Sequence, residues 1–340
     1  LALFPPRNTP TATFGRLEPL RFTQVDIPAS DPDYVLNTTS GGLPNDINQV
    51  VPVYKYKKPV VSYSAGERAQ EYAQILGFTD DMRVSDLSAN IFRWEDVTFG
   101  GVLEISLRTK NISLQTPLGG QGTYYPAGTL NKTNAVTIAR DVLRKLDKYS
   151  GTLYEDVSPT DINVEFGKFR ANGLVEADSI LEAQIAKVDF FRNIDETPVL
   201  GPNPKEGMLQ VYVRQPQEEN PQLNYPIVEA HEWKINLDES GTYPLTPISQ
   251  VWAEIQENNG VITNITPANG NPFSEPQLGS ALDKVLINEV YLAYYDSKTF
   301  QDYAQPIYVF EGNYTARNGQ SGEITIYYPA ISNEYIRSEN

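Results

Sequence analysis

The sequence contains no cysteine. Disulfide frameworks, thiolate metal sites and cysteine nucleophiles are therefore excluded. Histidine is almost as scarce, with His231 standing alone. Any Ser-His-Asp arrangement or zinc site would have to be built around that one ring. Positive charge is thin: 27 Lys and Arg against 43 Asp and Glu give a net charge of −16. Lys55, Lys57 and Lys58 form the one close basic group along the chain. That is too few for a phosphate backbone, so nucleic acid and an anionic membrane surface are poor partners. No apolar run reaches the length of about eighteen residues that a membrane-crossing helix needs.

What is present points to a β-rich protein outside the cytoplasm. Tyr is abundant, at 21 residues, beside 25 Pro and only two Met. Hydrophobic residues make up 40% of the 340, enough for a sizeable core, and the length suggests two or three domains or one repeated unit. The opening residues Leu1, Ala2, Leu3 and Phe4, followed by Pro5, Pro6 and Arg7, read as the tail of a removed membrane anchor or signal segment. The expected location is extracytoplasmic, at a cell surface or in a periplasm. The membrane is expected to be reached only through that removed N-terminal anchor.

Three apolar, aromatic runs near the C-terminus, residues 285–296, 305–312 and 323–330, read as the strands of a central sheet. Before them the pattern predicts an extended Pro/Thr-rich arm over 1–60 and three helix-plus-meander units over 61–125, 126–222 and 223–340. The first helix has Ser64 and Glu67 in capping-box spacing and Gly77 as its stop. The second has Asn131 or Thr133 as cap, and the third, over 248–256, has Thr246 as cap with Pro247 at its first position. Strands are expected over 90–94, 102–107 and 111–115, then over 162–166, 180–191, 207–214 and 225–235. The expected fold class is α+β: repeated helix-plus-antiparallel-meander units with an extended N-terminal arm.

Within 225–330, Tyr243, Pro244 and Leu245, then 249–255 (SQVWAEI), 290–296 (VYLAYYD) and 305–312 (QPIYVFEG), resemble the extracytoplasmic domains of the bacterial YycH and YycI regulators. More broadly they are similar to PepSY-like domains. The resemblance implies a membrane-anchored, non-enzymatic domain that modulates a protein partner, and it brings no catalytic residues.

The residues themselves nominate little chemistry. His231 shares a strand face with Glu229 and Trp233, an arrangement able to bind metal or move a proton, but no second His accompanies it. The acidic groups Asp31/Asp33, Asp80/Asp81/Asp86, Glu155/Asp156/Asp161 and Asp238/Glu239 read as solvated loops, without a calcium-loop pattern. Residues 119–125 form a Gly-rich loop that lacks the Lys of a phosphate-binding loop. Tyr124/Tyr125, Tyr294/Tyr295 and Tyr327/Tyr328 are each expected to put one ring in the core and one outside, where the outer rings form a binding patch. No catalytic residue, metal ligand or cofactor is assigned. The expected role is non-catalytic protein–protein contact, regulatory or scaffolding, with a protein partner or by self-assembly. Two alternatives stay open: a surface or filament subunit assembling through its N-terminal arm, and a hydrolase of a cell-wall polymer.

Overall fold

The structure is a computed structural model describing residues 9–84, 90–118, 125–128, 130–149, 154, 162–171 and 173–338. Strands β1 (Asp33–Leu36) and β2 (Val50–Tyr56) precede helix α1 (Ala65–Ile75). A meander follows: β3 (Ile91–Glu95), β4 (Val102–Ser106) and β5 (Ile112–Gln115). Helix α2 (Lys132–Lys145) leads to β6 (Ile162–Arg170), β7 (Gly173–Glu176) and β8 (Ile185–Phe190). Then come β9 (Arg192–Ile194), β10 (Thr197–Leu200), β11 (Leu209–Val213), β12 (Ile227–Ala230) and β13 (Ile235–Pro244). Helix α3 (Ile248–Gln256) and strands β14 (Val261–Pro267), β15 (Leu282–Tyr295), β16 (Tyr303–Ala316) and β17 (Ser321–Pro329) complete the set.

The strands form two sheets. The nine-stranded sheet runs β13-β2-β16-β15-β10-β9, with β1 also on β15, β17 on β16 and β14 on β17. The eight-stranded sheet runs β3-β4-β5-β12-β11-β8-β6-β7. This corrects the expected α+β fold of repeated helix-plus-meander units. Among the described residues there are three α-helices, and the strands do not stay within units. Strand β12 pairs with β5 across more than a hundred residues, and β10 pairs with β15. Local periodicity marks where a strand lies; which edges pair is a long-range choice that it does not carry.

Three local readings also change. The strand expected over 180–191 begins only at Ile185, because Ile180–Glu182 forms a 3-10 turn in which Ser179 Oγ accepts from the Leu181 N–H. The strand expected over 225–235 stops at Ala230. Asp238 and Glu239, read as a solvated loop, lie inside β13, where a bulge shifts the register between Asn236 and Ser240. The Ser64 side chain makes no capping bond, whereas Asn131 does cap α2, its Oδ1 accepting from Asn134 N at 2.9 Å.

Helices α1 and α2 cover one face of the smaller sheet. Ala69, Tyr72, Ala73 and Leu76 pack there with Ala135, Ala139, Val142 and Leu143. The small residues at these positions let both helices sit close to the strands. Helix α3 covers the larger sheet with Val251 and Ile255, and Trp252 stacks on Phe310 at 6.1 Å. Residues 9–31 run along that same sheet: Thr11 N donates to Thr242 O, Leu17 N to Tyr335 O and Val25 N to Ile262 O. Alternating side chains of β15 and β16 therefore meet a core on each side. Ile287, Tyr308 and Phe310 face α3, and Ala293, Tyr295, Ile307 and Val309 face Leu20 and Phe22 of the arm.

Candidate functional site: a basic pocket where the two sheets meet

Five chain segments converge beside the junction of the sheets and line a cavity of about 440 Å³. Lys57 and Lys58 follow β2, and the Lys57 N–H donates to Lys234 O at 2.7 Å, which brings Lys234 alongside. Helix α1 contributes Arg68 and, one turn on, Tyr72. The β4–β5 turn contributes Arg108 and Lys110, the latter at φ 60°. The end of α2 contributes Asp147 and Lys148, and the link into β13 adds Glu232 and Trp233. Seven cationic residues thus line one cavity, against Asp147 and Glu232, in a chain of net charge −16.

Lys148 is the buried member, at 4% exposure. It is carried by a tight helix end. The Lys148 N–H donates to Leu143 O and the Asp147 N–H to Arg144 O, the double bond pattern of a Schellman cap. Helix α1 ends in the same way, with Gly77 at the left-handed position. In α2 that position is filled by Asp147 at φ 53°, and Tyr149 just beyond is at φ 49°. Each such non-glycine residue costs about 1 kcal/mol or more. The Asp147 side chain offsets part of that cost through bonds to α1. Its Oδ2 accepts from Arg68 Nη1 at 2.7 Å and from Tyr72 Oη at 2.9 Å.

Among the described residues, Arg68 is the one pocket cation held in an ion pair. Lys148 has none. Burial, with Lys110 and Lys234 nearby, pulls its ammonium down to about 8, against an opposing pull from Glu232 and Asp147. A buried, unpaired charge is expensive unless something neutralises it. The pocket can therefore receive an anion: fixed positive charge surrounds a partly dehydrated ammonium, where each contact is stronger than in bulk water.

The floor next to the pocket is cross-linked by buried polar bonds. Arg192 of β9 pairs with Asp296, both fully enclosed, and Arg192 Nη1 donates to Trp233 O at 3.0 Å. Tyr56 Oη donates to Asp296 Oδ1 at 3.1 Å. These bonds tie β2, β9, the end of β15 and the Trp233 link together, which fixes where Lys57 and Lys234 emerge.

A second region, a cleft between the sheets, also surrounds a buried lysine. Two adjoining cavities of about 720 and 750 Å³ share Lys187, Asn203, Glu206 and Asn264 in their walls. Lys187 lies 3.3 Å from Glu165 and 3.7 Å from Asp189. Burial lowers the Lys187 ammonium, and the two carboxylates more than reverse that, leaving it above its usual range. Burial also raises Asp189 to about 6, with Lys187, Gln210 and the Gly207 N–H pulling the other way.

The residues nominated from sequence are mostly satisfied within the fold. His231 Nε2 lies 2.9 Å from Glu229 Oε2, and Glu229 also accepts from Ser113 Oγ at 2.7 Å. Burial raises the Glu229 carboxyl, and its bonds to His231, Ser113 and Gln115 outweigh that and hold it low. Trp233 turns inward, its Nε1 donating to Ser297 O. Asp31 accepts from Asn258, Asp80 from Gln70, and Glu239 pairs with Lys55 at 3.2 Å. Asp86, Glu155, Asp156, Asp161, Tyr124 and residues 119–123 lie outside the described residues. Among the described residues no cluster of three His, Asp or Glu is placed to hold a metal ion. Tyr294 and Tyr295 are both buried, at 4% and 1%, because the arm covers the face expected to be open. The pocket cations come from positions 57 to 234, and no local signal in the sequence joins them.

The fold and site thus define a two-sheet β protein with a concentrated cationic pocket. No family model and no curated protein matches the sequence. Among solved structures, an uncharacterized protein from Eubacterium rectale ATCC 33656 aligns over 86% of this chain and 87% of its own, at 13% identity and a TM-score of 0.44. A likeness that slight carries no argument about function.

Proposed function

We propose that the protein is a non-catalytic binding module that recognises an anionic group through the basic pocket. The group is a carboxylate, phosphate or sulfate, either free or carried on an acidic segment of a protein partner. The supporting observation is Lys148, a buried ammonium with no ion partner among the described residues, ringed by further cations in an otherwise acidic protein. The cavity size suits a small ligand or the tip of a longer one. Contact with a protein partner, implied by the likeness to regulatory domains, enters here as one source of the anion.

Calorimetric titration of the 340-residue chain with inorganic phosphate, sulfate and an oligo-glutamate peptide tests this reading. Saturable binding is expected, weakening as salt is raised and falling at least about tenfold in Lys148→Met. Preference for the peptide over the free anions would assign the source to a partner protein. Absence of saturable binding for all three at low salt would overturn the proposal.

A further inference from the structure

We propose that Lys148 captures its ligand covalently, condensing with the carbonyl of a small anionic aldehyde or 2-oxo acid that the surrounding cations hold. This rests on the pocket being an anion site and names the ligand class. A phosphate or carboxylate on the rim cations Lys57, Lys58, Arg108, Lys110 and Lys234 leaves the rest of a small ligand facing the buried amine. The Lys148 nitrogen attacks the carbonyl carbon, a C–N bond forms and the carbonyl π pair moves to oxygen. The nitrogen gives up two protons in all, the oxygen gains two and departs as water, and a C=N bond remains. Amine plus carbonyl yields imine plus water, with no oxidant or reductant.

The reaction needs the free amine, and the pocket supplies it. A lysine desolvated beside other cations is the recognised way to make an amine nucleophilic near neutral pH. Of the charged groups lining the pocket, Lys110 and Lys234 oppose the Lys148 proton and Glu232 and Asp147 favour it, while Lys57, Lys58, Arg68 and Arg108 complete the lining. With its ammonium lowered to about 8, Lys148 offers far more free amine near pH 8 than an ordinary lysine does. The chain carries its own controls. Lys168 and Lys187 are equally buried, but each is held by two carboxylates and stays charged.

The test treats the full chain with pyridoxal 5′-phosphate at pH 8, traps imines with borohydride and maps the labelled lysines by peptide mass spectrometry. Labelling of Lys148 at least about tenfold above Lys168 and Lys187, suppressed by inorganic phosphate, is the expected result. The wild-type chain suffices, so no variant has to fold. Lys148→Arg adds a second arm: it should lose the label and keep phosphate binding. If phosphate binds while label spreads over exposed lysines and spares Lys148, the covalent step is overturned and the anion site stands. If neither phosphate nor label is taken up, both fall.

Discussion

Lys148 and Lys187 are buried to the same degree, yet they sit in opposite company. Lys187 is on β8, and Glu165 of β6 stands directly across from it in the sheet register. Asp189, two residues along the same face, adds a second carboxylate, and Gln210 of β11 faces Asp189 in turn. Strand register therefore delivers the neutralising partners as a row of cross-strand neighbours. Lys148 sits on a turn at a helix end, where loops rather than strands meet. No register pairs it with a carboxylate, and the loops that reach it bring mostly lysine and arginine. A strand-borne buried charge is completed by the fold; this loop-borne one is left for a ligand to complete.

Substitutions should break or sharpen that contrast. The largest effect is expected for Lys187→Met, which leaves Asp189 and Glu165 without their cation. The loss should be about 3–5 kcal/mol in denaturant unfolding. A loss below about 1 kcal/mol would mean that the cleft is no more neutralised than the pocket. Lys148→Met should move the other way and stabilise the protein by about 2–3 kcal/mol at pH 7, because it removes an unpaired buried charge. Destabilisation by this variant would show that the ammonium is satisfied in the free protein.

The pH dependence follows from the same group. Unfolded, Lys148 holds its proton up to about 10.4. Folded, it gives the proton up near 8. Between these values the unfolded chain binds more protons, so raising the pH favours the folded state. The advantage of Lys148→Met should be full below about pH 8 and fade towards zero near pH 10.5. Melts of both proteins across that range check the sign. The smallest effect is expected for Arg68→Ala, which removes an exposed, solvent-screened pair with Asp147 and should leave the unfolding midpoint almost unchanged in the same measurement.

Much of the local structure was legible in the sequence. The Asn131 cap, the Gly77 stop and the three C-terminal strands all follow from short-range rules. What escaped was set at long range. Alternation along β15 places Tyr294 and Tyr295 on opposite faces, but says nothing of Phe22 arriving from the arm to cover Tyr295. Ser179 diverts the chain before β8 through a turn of its own, against a run whose apolar content suggested continuous strand. The pocket was invisible for the same reason. Lys110, Lys148 and Lys234 stand tens of residues apart, and only the topology makes them neighbours.

The pairing of Asp33 in β1 with Lys284 in β15 has a consequence in time. During synthesis at about 5–20 residues per second, β1 and β2 leave the ribosome many seconds before β15 and β16 exist. The smaller sheet obtains its last strand, β12, well before that and can close first. Until the C-terminal strands are made, the early strands of the larger sheet have unfilled edges, which are sticky towards other chains. The larger sheet therefore cannot close until the last part of the chain has been made, a constraint written into the order of its strands.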